Sequence, residues 1–188
     1  MISNIEKMKD ELEDMQARHE EVLSKSRFVI RRCAEAIAAM HGNNPVRAKK
    51  NLDDAKKTIE ALRKIEHGFE NTSLQAHQEY VEAASLYSII GKAESTELPS
   101  AASLNEATGP YILGLMDLVG ELKRSAVDAL RHKRYDEAKR YYTIMKGIYD
   151  DTLPISFASQ ILPDFRKKQD VARIQIESIE NALLLLQI

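Results

Sequence analysis

Two stretches of this sequence carry carboxylates where a helix interior has little room for them. From Tyr80 to Ile90 the only charged residue is Glu82, and Glu79 lies one turn earlier. From Tyr111 to Leu122 the run YILGLMDLVGEL holds two charges, Asp117 and Glu121. Spacings of three and four put each pair on one face of its helix. Both stretches are otherwise apolar nearly all round, as central helices of a bundle are. A buried, unpaired carboxylate is costly, so four of them need compensation. The only nearby bases are Lys123 and Arg124, at the edge of the second pair. The acids could pair with bases from neighbouring helices or face water. Two pairs on two apolar helices favour a divalent cation instead, and an all-oxygen donor set suits Mg²⁺, with Mn²⁺ as the substitute.

Other chemistries fit less well. Di-iron carboxylate bundles use Glu-x-x-His on two helices, but three residues after Glu82 stands Ser85, and three after Glu121 stands Arg124. His19, His41, His67, His77 and His132 show no such spacing, and no HExxH run occurs. His77, two residues before Glu79, points to another helix face. There is no Walker loop and no GxSxG, and Cys33 reads as a core residue on a helix seam. An oxygen-ligated cation points to phosphoryl chemistry, in which a metal acidifies water and neutralises a phosphodiester.

The elements that must position these residues read as helices throughout, and no segment shows the period-two alternation of a strand. The expected class is all-α. The chain of 188 residues, expected to form one domain over 1–188, is 44% hydrophobic and 30% charged with seven Gly and five Pro. A single cysteine allows no internal disulfide and fits a reducing, cytoplasmic setting. The charged start is not a secretory signal. No apolar stretch reaches the roughly 18 residues of a membrane span.

Ile5, Met8, Leu12, Met15, Val22, Val29, Cys33, Ala36 and Met40 trace a heptad seam once His19 and Ser26 fill its gaps. A helix over the first forty residues would run roughly 60 Å, too long for a compact bundle, so it is expected to join subunits. Gly42 to Pro45 should stop it and start a second helix to about His67. Further helices are expected from about Asn71 to Gly91, Pro110 to His132, Tyr135 to Asp150 and Pro163 to near Gln187. The last should bury Phe165, Ala172, Ile176, Ile179, Leu183 and Leu186. Ala93 to Thr108 reads as a loop, and Pro154 and Pro163 bracket a short helical turn.

Charge is segregated along the chain. Ser24–Lys64 holds eleven Lys or Arg against four acids, Ile65–Glu121 nine acids against Lys92 alone, and Leu122–Lys168 eleven bases against six acids. Such blocks are commonly solvated faces.

At these residues the sequence resembles the family of translin and translin-associated factor X. QEYVEA at Gln78–Ala83 looks like the corresponding helix of factor X, and GLMDLVGELKR at Gly114–Arg124 resembles its G-V-A-D-L-T-G-E-L-M-R. SRFVIRRCAEAIAAMH at Ser26–His41 is similar to its first-helix segment, and DVARIQIESIENAL to the family's Lys-Val-Glu-Asn-Ala ending. Translin itself has an apolar residue where this chain has Asp117, and lacks the E-x-x-E pair, so the likeness is to the catalytic branch.

The resemblance implies a seven-helix subunit with a long N-terminal helix, assembling into a hollow hexamer or octamer around RNA. It implies a Mg²⁺-dependent endoribonuclease with Glu79, Glu82, Asp117 and Glu121 as catalytic and metal-binding residues. Lys25, Arg27, Arg31, Arg32 and Arg124 are then expected to hold single- or double-stranded RNA, or single-stranded DNA, through phosphates. Aromatic stacking is not expected with 6% aromatics and no Trp. The alternative is a translin-like oligomer that binds RNA or single-stranded DNA without cutting it.

Overall fold

The computed structural model describes residues 4–91, 97–155 and 161–186. It is all-α, with no strand among the described residues. The helices are α1 (Ile5–His41), α2 (Pro45–Leu62), α3 (Glu70–Leu86), α4 (Ala101–Leu104), α5 (Thr108–Arg131), α6 (Tyr135–Thr152) and α7 (Phe165–Leu185). Beyond Leu86, α3 widens into a π-helical turn, Tyr87–Gly91. No helix is long and apolar enough to cross a membrane, among the described residues.

Helix α1 has 37 residues and so extends about 55 Å. Its seam has two halves. Val22, Ser26, Val29, Cys33, Ala36 and Met40 are buried, whereas Ile5, Met8, Leu12 and Met15 are exposed by 58%, 49%, 64% and 49%. The second half packs on α2 and α3, and the first projects beyond the bundle. Asn43, in the left-handed region at φ 53°, turns the chain. Asn44 then caps α2 by accepting the Arg47 N–H at 3.0 Å, with Pro45 in the first helical turn.

Helices α3 and α5 occupy the centre. The first packs on α1, α2 and α5, and the second on α3, α6 and α7. Their closeness depends on Gly114. A Cβ there would lie 2.6 Å from the Gln78 carbonyl oxygen and 2.7 Å from the Val81 Cβ. A larger residue cannot enter without pushing the two helices apart.

Three expectations need correction. Helix α2 ends at Leu62 rather than His67, because the chain tightens into turns there, with Ile65 N–H donating to the Leu62 carbonyl at 3.0 Å. Those turns bring Arg63 and Glu66 onto a buried network. Arg63 reaches Glu106 at 2.6 Å, and the His77 ring nitrogens lie 2.8 Å from Glu66 and 2.8 Å from Glu106. The expected 93–108 loop contains α4, capped by Ser100 accepting the Ser103 N–H at 3.1 Å. Leu186 is 46% exposed, while Phe165, Ala172, Ile176, Ile179 and Leu183 are buried as expected. Residues 92–96 of that loop, 156–160 of the turn between the two prolines, and Gln187 lie outside the described residues.

Candidate metal centre

Glu79 and Glu82 descend one face of α3, and Asp117 and Glu121 one face of α5. Because α3 and α5 touch at Gly114, three of these acids share a cleft. Glu79, Glu82 and Asp117 line a space of about 490 Å³ together with Gln75, Gln78, Asp164 and Lys168. All four acids are half-buried. Cys33, on the buried seam of α1, lies close enough for Glu79 and Glu82 to add to the effect of burial in raising its thiol.

The four acids are not electrostatically equal. Burial pushes Glu82 up to about 8, and the charges of Glu79, Asp117 and Glu121 add to this while Lys168 opposes it. Glu79 is also raised, by burial first, against a hydrogen bond from Gln75, with Asp117 and Glu121 again adding. Glu121 moves the other way. His41 Nε2 donates to Glu121 Oε2 at 2.5 Å and holds the carboxyl below its usual range against the effect of burial. Arg124 stands further off, 3.9 Å from the same oxygen. Lys168, on the first turn of α7, forms an ion pair with Asp117 Oδ1.

The structure therefore supplies partners that local sequence does not show. Lys168 and His41 come from distant helices and answer Asp117 and Glu121, while Glu79 and Glu82 remain short of positive charge. His77 is turned away from the cluster, as its position two residues before Glu79 requires. Its side chain is 8% exposed, and its pKa is raised although burial alone would lower it, because Glu106 and Glu66 both accept from the ring.

A divalent cation can be tested against this donor set. With Asp117 turned to Lys168 and Glu121 to His41, no three His, Cys, Asp or Glu side chains among the described residues converge on one ion. The chemistry of the donors still fits. They are hard carboxylate oxygens on two rigid helices, and Glu82, raised to about 8 by burial first and by its acidic neighbours second, would be relieved by a cation.

The expected phosphate-holding residues are dispersed. Arg124 is exposed beside Glu121 and lines a groove of about 1480 Å³ between α5 and α6. Arg27 and Arg31 line a separate space of about 380 Å³ on α1, which shares no residue with the carboxylate cleft. Lys25 pairs with Glu21 at 3.3 Å. Arg32 bonds Glu35 at 2.7 Å and Asn51 at 3.2 Å, with its guanidinium 5.0 Å from the Phe28 ring centre. The sequence reading missed Lys168 and His41. Neither the separation of 51 positions from Asp117 to Lys168 nor that of 80 from His41 to Glu121 leaves any periodic signal.

Comparison with known proteins places this geometry among relatives. The Translin family model matches residues 7–188. The uncharacterized protein MJ0175 of Methanocaldococcus jannaschii is 30% identical over 172 residues, covering 88% of this chain and 74% of that protein. The AfC3PO–duplex RNA complex superposes with a TM-score of 0.86 at 26% identity, covering 98% of this chain and 96% of that one. Apo-NeC3PO, at 24% identity and a TM-score of 0.86 over 98% of each chain, shares the fold.

Proposed function

The chain belongs to the Translin family, and on that premise we propose that it is a Mg²⁺-dependent endoribonuclease of the factor X type, acting within a homo-oligomer that encloses RNA. The observation that carries this reading is the carboxylate cleft itself. Acids from two helices, closed together at Gly114, share a space with one carboxyl pushed up to about 8. The duplex RNA bound by a relative of this fold supports RNA as the substrate. The exposed start of the α1 seam supports self-association.

Glu79, Glu82 and Asp117 would hold the cation, and Glu121, oriented by His41, would hold or support it. When bound, the cation supplies Lewis acidity, acidifying water and neutralising the phosphodiester. The chain's own residues do the rest. Glu82, raised by burial and by its acidic neighbours while no cation is present, would give up its proton as positive charge arrives and hold the cation as a carboxylate. Lys168 would have to move its ammonium to free Asp117, and from the same cleft it would be placed to meet a phosphodiester oxygen. His41 fixes the Glu121 carboxylate.

A second reading follows from the two ion pairs. If Lys168 and His41 satisfy Asp117 and Glu121 permanently, the protein binds RNA or single-stranded DNA without cutting it. Asp117→Asn separates the two. Single-stranded and duplex RNA are incubated with Mg²⁺, and binding is measured in parallel. The expected result is a loss of cleavage of roughly a hundredfold or more, above the usual effect of removing an orienting partner, with RNA binding retained. Equal cleavage by the variant, or none by the wild type, sinks the nuclease reading.

A further inference from the structure

We propose that the carboxylate cleft is one end of a continuous track for the sugar–phosphate backbone of an RNA strand. The strand would cross α5 at Gly120 and run on into the basic groove between α5 and α6. This rests on the RNA-binding part of the proposed function.

Three spaces follow one another, each sharing lining residues with the next. The carboxylate cleft shares Asp117, Asp164 and Lys168 with a smaller space of about 270 Å³. That space shares Gly120 and Gln175 with the groove of about 1480 Å³. The saddle between them is Gly120, and packing does not explain its glycine. A Cβ there would meet only the Gln175 amide, at 3.6 and 3.8 Å, in contrast to Gly114, where backbone is in the way. Glycine inside a helix costs stability. The missing side chain gains its reason if something lies across α5 at that point.

The far groove has the charge a phosphate chain needs. Arg134 pairs with both Asp128 at 2.6 Å and Glu137 at 2.5 Å, and with Asp136 these acids face Lys123, Arg124, Arg131, Arg134 and Arg140 along the groove, so bases remain in excess. Lys123 and Arg131 line the same groove with no ion pair among the described residues. Arg140 donates to the Ile89 carbonyl at 3.4 Å and lies over the Tyr141 ring, with no ion pair among the described residues. Arg124 stands at the near end, 3.9 Å from Glu121. Cations left uncompensated along a groove bind phosphates at successive positions and read no sequence. The α1 cluster of Arg27 and Arg31 has no such connection to the acids.

The test measures binding in EDTA, so that it does not depend on cleavage. A labelled single-stranded RNA and a duplex of equal length are titrated over a series of salt concentrations. The proteins are wild type, Lys123→Glu/Arg131→Glu, Gly120→Leu and, for comparison, Arg27→Glu/Arg31→Glu. Circular dichroism and melting check that each variant folds. The groove variant should bind roughly tenfold more weakly, and its salt dependence on single strands should become shallower by about 1.4 in log–log slope, about 0.7 per lost phosphate contact. Gly120→Leu should weaken binding with unchanged melting. Wild-type affinity and slope in the groove variant, or undiminished binding by Gly120→Leu, overturns the track. If the α1 variant alone loses binding, the strand lies on α1, and the RNA-binding reading survives without the track. Failure of the wild type to bind either RNA overturns both.

Discussion

Lys168 and Asp117 hold each other in a pair that a divalent cation would have to open. Removing the ammonium should therefore help the cation and harm the substrate. Lys168→Met is expected to bind Mn²⁺ more tightly by up to about fivefold, since part-exposed ion pairs contribute about 0.2–1 kcal/mol. Calorimetric titration of the RNA-free protein reads this directly, and weaker binding than wild type would contradict it. Glu82 offers a second test. Its folded pKa lies near 8, above the ordinary 4.5, through burial first and its acidic neighbours second. A raised carboxyl stabilises the fold fully below its unfolded value and loses that contribution as pH rises through the folded value. In EDTA, melting temperature should thus decline between about pH 5 and 8, and Glu82→Gln should flatten the decline. His77 is raised as well and acts in the same direction, so the difference between variant and wild type is the readout. At this scale the sequence showed the acids plainly, because carboxylates in apolar helices break a pattern. It could not show Lys168 or His41, whose meeting with them depends on how α7 and the end of α1 pack.

Among the elements, α3 and α5 decide whether the acids form a site. Gly114→Ala puts a carbon 2.6 Å from the Gln78 carbonyl oxygen, and the helices must separate to admit it. The expected cost is about 1–3 kcal/mol in urea unfolding, with weaker cation binding at carboxylates that remain chemically intact. Gly120→Ala, whose Cβ would make only ordinary contacts with the Gln175 amide at 3.6 and 3.8 Å, should stabilise or leave unchanged. Equal effects at both positions would show that Gly114 sets no spacing. The long helices were legible because each repeats its apolar positions over many turns. Helix α4 was not, since four residues, Ala101–Leu104, carry too few turns for periodicity and only Ser100 marks a start. The early end of α2 was hidden for another reason: Arg63 and Glu66 leave the helix to meet Glu106 and His77, a tertiary demand that outweighs helix propensity.

For the whole molecule, the seam of α1 matters most. Its first four apolar positions are exposed among the described residues, and Leu186 with its neighbours Leu184 and Leu185 adds further exposed apolar surface. Leu12→Glu/Met15→Glu is expected to shift the protein toward smaller species in light scattering while leaving the melting of the bundle near wild type. An unchanged mass would place the subunit contacts elsewhere. Leu186 was misread because its heptad position follows Leu183 correctly, but the helix has by then run past the core.

The divided burial of α1 has a kinetic consequence as well. Among the described residues, those before His19 are exposed, and the Arg18 guanidinium lies 5.1 Å from the Phe69 ring. Their turns are tied only by surface pairs such as Lys7–Glu11 at 3.8 Å and Lys9–Glu13 at 3.4 Å, and a free helical stretch of that length is marginal in water. One covalent helix should then show two exchange regimes. Amide protons after Val22 should be protected at every dilution, while those of the projecting turns should exchange quickly in dilute protein and slow as concentration rises. Hydrogen exchange along this one helix would report the population of assembled molecules residue by residue.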